Sequence, residues 1–203
     1  MITKTVTLPN VADLDVEDAK QELRKVARKN RSKRSLQTRE DFASTWVDTA
    51  LDFLGDAQVV AAYVSIKEEP PTLALCDAIV ASGKRLLLPK LGPGLTRAWG
   101  WYTGAHDLDV LAPGDLGPAD EAHRGGALGP EALSQVDALL VPALLIGRGG
   151  TRLGQGGGWY DRILKQIKDD ARVGAMVYPD EVVDMELPQD EMDMRIPFVV
   201  LPE

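Results

Sequence analysis

Ala138-Leu139-Leu140-Val141-Pro142-Ala143-Leu144-Leu145-Ile146 runs without a charge, and soon after it comes Arg152-Leu153-Gly154-Gln155-Gly156-Gly157-Gly158-Trp159-Tyr160-Asp161. The apolar stretch reads as a buried strand. The residues that follow the glycines, Arg162-Ile163-Leu164-Lys165-Gln166-Ile167, read as a helix. Four glycines between a strand and a helix let the backbone come close to an anion at the helix N-terminus. Arg152 adds positive charge on one side, and Asp161 can hold a cation on the other. That is the physical outline of a nucleotide phosphate site. A strand, a loop and a helix in this order also signal layered α/β architecture.

The flanking sequence repeats the pattern. Val59 to Ser65 is a short apolar run read as a parallel strand, and Thr72 to Ser82 a helix that stops at Gly83. Arg85 to Pro89, Asp137 to Leu145, Arg172 to Val177 and Pro197 to Leu201 read as further strands, with Arg97 to Tyr102 an edge strand. Trp159 to Lys168 reads as the helix after the glycines. Asp15 caps a helix from Val16 to Lys29. Thr38 and Asp41 resemble a capping box for a second helix that ends at Gly55. The expected class is α/β with a mostly parallel sheet, where ligands collect at strand ends. Residues 1–18 read as a mobile extension and 19–203 as a single domain.

Composition removes several functions. The formal net charge of −8 argues against general nucleic-acid binding. Residues 20–34 are nonetheless basic, with Lys20, Arg24, Lys25, Arg28, Lys29, Arg31, Lys33 and Arg34 against Glu22. No apolar stretch is long enough for a membrane span, and the start lacks a signal-peptide pattern, so a cytoplasmic location is expected. Cys76 is the only cysteine and sits in an apolar helical pattern, which reads as buried packing. His106 and His123 read as surface residues, so a zinc enzyme is not expected. The glycines are not a Walker A loop, because no Lys-Ser or Lys-Thr follows them. They also lack the third glycine of a dinucleotide fingerprint.

The run from Val141 to Asp161 resembles the signature of the 5-formyltetrahydrofolate cyclo-ligase family, Val-Pro-Gly-x-x-x-Asp-x-x-Gly-x-Arg-Leu-Gly-x-Gly-x-Gly-Tyr-Tyr-Asp. It aligns without a gap, although Gly147 stands where Asp is common and Trp159 where Tyr or Phe is usual. Lys20-x-x-Leu23-Arg24, Tyr63-Val64-Ser65 with Glu69, and Pro188 to Asp193 resemble further family segments in the same order. Met192 and Pro197 depart from the family pattern near that last segment.

The resemblance implies a three-layer α/β/α fold of the NagB/RpiA/CoA-transferase-like type. It implies ATP-dependent closure of 5-formyltetrahydrofolate to 5,10-methenyltetrahydrofolate, through a phosphorylated formyl oxygen, with ADP and phosphate released. Lys20, Arg24, Arg152, Leu153, Gly154, Gln155, Gly156, Gly157, Gly158, Trp159 and Tyr160 would bind ATP. Val64, Glu69, Gln155, Gly157 and Trp159 would bind the folate, polyglutamylated forms included. Arg152 would be catalytic, and Asp161 and Asp193 would hold Mg²⁺. The resemblance points to a monomer with no nucleic-acid or membrane partner.

The residues by themselves leave blander readings open. Lys20 and Arg24, four apart on one helix face, fit a solvated basic face better on spacing alone, and only the resemblance reverses that. Asp161 fits a helix-start acid, Asp193 a solvated loop acid, and Glu68 competes with its neighbour Glu69. A noncatalytic folate or nucleotide binder, and a phosphoryl-dependent enzyme with another small substrate, are the alternative functions.

Overall fold

The computed structural model describes residues 6–91, 97–112, 115–118 and 128–202. Asp15 opens helix α1 (Val16–Arg31) as the sequence predicts, its carboxylate accepting the Asp18 N–H at 2.9 Å. Helix α2 (Leu36–Leu54) starts earlier than expected. Ser35 is its cap, accepting the Thr38 N–H at 3.1 Å, so the Thr38–Asp41 capping box is not the start signal. The helix ends at Gly55, as expected.

Strands β1 (Val59–Ala61), β2 (Arg85–Leu91), β3 (Arg97–Tyr102), β6 (Ala138–Pro142), β9 (Arg172–Met176) and β10 (Phe198–Val200) form one six-stranded sheet. Its order is β10-β9-β6-β1-β2-β3, and only β3 is antiparallel to its neighbour. The central strands are buried on both faces, which explains their unbroken apolar sequence. Two small antiparallel pairs stand outside the sheet: β4 (Leu108–Ala112) with β5 (Asp115–Pro118), and β7 (Leu145–Ile146) with β8 (Arg152–Leu153).

Helices α2 and α3 (Leu73–Ala81) cover one face. Trp46, Leu54, Leu75 and Ile79 pack there on Val60, Leu86 and Leu140. The other face is covered by a 3₁₀ helix, Pro130–Gln135, and by α4 (Trp159–Leu164), through Leu133 and Ile163. The three-layer α/β/α expectation holds. The second helical layer is thin, because α4 stops at Leu164 and not at Lys168. Cys76 is buried within the first cluster, and burial pushes its thiol up to about 12, so it behaves as a small hydrophobe. His106 is exposed, and His123 lies outside the described residues.

Two expectations need correction. The apolar run from Ala138 to Ile146 is not one strand. The chain leaves the sheet after Pro142, and Leu144 and Leu145 turn to a third apolar cluster with Leu23 and Ala27 of α1. The chain then doubles back, closed by Gly147 N–H to Thr151 O at 2.8 Å. Residues 6–15 are not a loose leader either. Val6, Leu8 and Val11 pack into the same third cluster, and the Val6 N–H reaches Asp180 O at 2.9 Å.

Candidate active site

The hairpin β7–β8 aims Arg152 across the start of α4. Its Nη2 donates to both carboxylate oxygens of Asp161, at 2.8 and 2.7 Å. The Met194 N–H also donates to Asp161 Oδ1, at 3.2 Å. Arg152 is buried, and its Nε has no partner. The acid expected to hold a cation therefore faces the cation expected to stabilise phosphate.

Helix α1 lies against the glycine loop. Arg24 Nε donates to Gly154 O at 3.1 Å, and its Nη1 donates to Glu17 at 3.0 Å. Arg28 reaches both the backbone oxygen and the side chain of Gln155. Two glycines here make close approaches. A Cβ on Gly154 would stand 2.5 Å from Arg152 Nη1. Gly156 has a φ of +103° and passes over the Arg24 guanidinium.

Lys20 and Arg24 do not form a solvated face, because both are buried. The Lys20 ammonium donates to Asp190 at 2.6 Å and also to Asp193. Burial alone would lower the Lys20 pKa. The hydrogen bonds to Asp190 and Asp193 outweigh it, and the net shift is upward.

The opposite wall comes from the chain after β1. Thr72 ties this loop: its hydroxyl donates to Tyr63 O at 2.8 Å and accepts the Ser65 N–H at 2.9 Å. The loop places Glu69, which is 7% exposed. Its carboxylate accepts the Ile66 N–H at 3.1 Å and the Gln155 amide at 3.3 Å. Burial raises the Glu69 pKa, and these two donors offset only part of the effect. Beside it the Tyr63 hydroxyl is buried and has no hydrogen-bond partner. Trp159 stacks on Trp99 of β3, with ring centroids 5.2 Å apart, and meets Tyr160 edge-on.

One cavity of about 540 Å³ joins the two walls. It is lined by every residue the sequence singled out: Lys20, Arg24, Val64, Glu69, the whole run Arg152–Asp161, and Asp193. Glu68 does not line it, which separates it from Glu69. The sequence reading assigned no site role to Glu17, Tyr63, Lys90, Asp190 and Met192, which lie on the same walls. Lys90 alone carried a usable sign, a lysine closing the apolar run Leu86-Leu87-Leu88-Pro89.

The family model described as "5-formyltetrahydrofolate cyclo-ligase family" matches residues 16–202. The chain belongs to the 5-formyltetrahydrofolate cyclo-ligase family. It is 36% identical over 154 residues to the 5-formyltetrahydrofolate cyclo-ligase of Mycolicibacterium smegmatis, covering 72% of this chain and 74% of that protein. It is 30% identical over 146 residues to the Escherichia coli K12 enzyme of the same name, covering 72% and 79%. The Aquifex aeolicus 5,10-methenyltetrahydrofolate synthetase structure aligns with a TM-score of 0.71 at 29% identity, covering 91% of this chain and 90% of that one. The Mycoplasma pneumoniae synthetase aligns with a TM-score of 0.68 at 19% identity, covering 91% and 99%, which supports the fold. The cyclo-ligase match begins at the first residue of α1.

For a metal ion, this cyclo-ligase offers carboxylates but no cage. Among the described residues no group of three His, Cys, Asp or Glu gathers. Asp193 Oδ2 accepts from Lys20 and from the Asp190 N–H, and among the described residues no hydrogen bond reaches Oδ1. Such a donor set fits Mg²⁺, which takes one or two carboxylates and completes its shell with phosphate oxygens and water. No helix among the described residues is long and apolar enough to cross a membrane.

Proposed function

We propose that the cleft binds ATP along α1 and the glycine loop, binds 5-formyltetrahydrofolate against Glu69, and couples the two. The γ-phosphoryl group passes from ATP to the formyl oxygen, leaving ADP. N10 of the folate then attacks the formyl carbon and loses its proton to water, the C–O bond breaks, phosphate leaves, and the ring closes as 5,10-methenyltetrahydrofolate. A formyl oxygen is a poor leaving group, and phosphorylation removes that obstacle. Such a transfer needs positioning and charge neutralisation more than a nucleophilic side chain.

In this reading Lys20, Arg24 and the N–H groups from Leu153 to Tyr160 hold the phosphates. Arg152 turns from Asp161 toward the transferring group and offsets its charge. Val64 and Trp159 give the folate apolar contact, and Glu69 accepts the N–H donors of its pterin. Gln155, between Arg28 and Glu69, touches both halves. Asp161 and Asp193 would hold Mg²⁺, which when bound neutralises phosphate charge. A cytoplasmic setting, where ATP and reduced folates are both present, goes with this reading.

The observation that carries the proposal is the convergence of these residues, from four separate chain segments, on one cavity. The test mixes protein, ATP, Mg²⁺ and 5-formyltetrahydrofolate and follows the near-ultraviolet absorbance of methenyltetrahydrofolate. The signal should appear only with all components present. Its absence from the complete mixture would reject the reading.

A further inference from the structure

Four buried cations line the cleft, and three of them have carboxylate partners. Lys20 is paired with Asp190 and Asp193, Arg24 with Glu17, and Arg152 with Asp161. Lys90 is 6% exposed and lines the same cavity. Among the described residues its ammonium makes no ion pair and no hydrogen bond. Its stem has a built bed: Ala98 stands opposite it on β3, and at Gly100 an added Cβ would lie 3.4 Å from Lys90 Cδ. Its stem is buried, and the residue lines a cavity in which its ammonium meets no carboxylate. A stem clamped by small neighbours, with its charge left uncompensated, suits a group that meets its partner only when a ligand arrives.

We propose that Lys90 is a ligand-binding residue of this cleft, its ammonium taking an oxyanion of a bound substrate. The inference rests on the reading that the cleft takes ATP and a reduced folate. Two sources supply that chemistry, a folate carboxylate and an ATP phosphate. Lys90 sits toward the C-terminal end of β2, the end at which ligands of parallel sheets bind. It is beside the chain after β1, which carries Tyr63 and Val64 and is tied to β2 by Ala62 N–H to Leu87 O at 3.0 Å. That is the Glu69 wall, so the folate carboxylate is the expected partner. Unlike the other three cations, Lys90 can receive an anion without first giving up a carboxylate.

The test is the Lys90→Met variant, which keeps a linear stem and removes the charge, beside Lys90→Arg, which keeps the charge. Calorimetry measures binding of 5-formyltetrahydrofolate and of ATP with Mg²⁺ in separate arms. K90M should bind the folate at least fivefold more weakly and ATP within twofold, and K90R should recover part of the loss. A fivefold loss confined to the ATP arm assigns the phosphate as the oxyanion. Lys90→Gln carries the same arms should K90M be recovered unfolded. Losses below fivefold in both arms, with wild type binding both ligands, overturn the Lys90 assignment alone. Wild-type protein that binds neither ligand overturns the parent reading, and this inference with it.

Discussion

Helix α1 carries two kinds of buried cation, and only one of them faces a cavity. Near its C-terminus, Arg31 donates through Nε and Nη2 to the two oxygens of Glu181, at 2.8 and 2.7 Å. Glu181 also accepts from Arg34 and from the Tyr178 N–H, and Arg34 lies over the Tyr178 ring at 3.8 Å. None of Arg31, Arg34, Tyr178 and Glu181 lines the cleft, and the one hydrogen bond from this group to a cleft residue is Tyr178 O–H to Glu69 O, a backbone oxygen, at 3.4 Å. Two and three turns earlier, Arg24 and Lys20 are buried to a similar degree and are also paired, yet they line the cavity. Burial and pairing therefore do not mark function in this chain. Access to a ligand-sized space does, and it divides one helix into a structural end and a binding end.

The sharpest way to break this comparison is to cut the closed network. Glu181→Gln leaves Arg31, 3% exposed, without its counter-charge. Removing one partner of a buried pair costs about 3–5 kcal/mol. Urea denaturation should show that loss, with a Tm lower by roughly 10 °C. Turnover per folded molecule should stay within about threefold. A variant that kept its stability and lost turnover would erase the distinction between the two ends of α1.

Arg152→Met makes the converse cut, in a pair that opens on the cleft. Its expected cost falls on the barrier, about 3–4 kcal/mol or a factor of 10²–10³ in kcat. Rapid-quench or absorbance measurement of methenyltetrahydrofolate formation reads this directly. Its urea midpoint should move less than that of Glu181→Gln, since Asp161 keeps the Met194 N–H and contact with the open cavity.

The binding end was more legible in the sequence than the structural end, for a physical reason. A phosphate loop needs glycines, a guanidinium and an acid at fixed short spacing, so Arg152–Asp161 announces itself within ten residues. Glu69 follows a strand by a short loop and is nearly as local. Arg31 and Glu181 are 150 positions apart, and no local pattern links them. Sheet register brings Lys90 to the cleft and Trp99 behind Trp159, and a single strand does not encode it. Ser35 and Thr38 are both good caps, so local sequence does not choose between them, and the folded chain uses Ser35. The break after Pro142 was hidden because Leu144 and Leu145 are as apolar as the strand they leave. They serve a different cluster, and burial looks the same in either one.

Glu69 allows the comparison to be refined within the cleft. It is buried like Glu181 but has no cationic hydrogen-bond partner, only Ile66 N–H and the Gln155 amide. Glu69→Gln removes one charge-assisted bond to the folate, about 1.5–3 kcal/mol in kcat/KM. ATP affinity should change little. The raised pKa of Glu69 also fixes the direction of a pH effect. Its charged form accepts the pterin N–H groups, so KM for the folate should rise as pH falls toward a carboxyl pKa above the ordinary range. Glu69→Gln should flatten that acid limb while kcat at saturating folate keeps its own profile. An unchanged KM in this variant would assign Glu69 to holding its own loop.

The smallest effect belongs to a third ion pair, at the opposite end of the strands. Asp137 accepts the Val59 and Gln58 N–H groups at 2.8 and 2.9 Å and bonds to Lys168. The Lys168 bond and then these backbone donors hold its carboxyl down to about 2, against an ordinary 3.8. A carboxylate lowered in the folded state stabilises the fold above its unfolded pKa and loses that contribution as pH falls through the folded value. The window here runs from about 4 down to about 2. The pair is partly open to water, so screening limits the stabilisation from it to about 1 kcal/mol. Asp137→Asn should lower the urea midpoint at pH 6 by that amount, and the gap to wild type should narrow between pH 4 and pH 3. Added salt should shrink the gap further at pH 6. Salt should leave the Glu181→Gln deficit nearly intact, because a pair shielded from solvent ions is shielded from their screening as well.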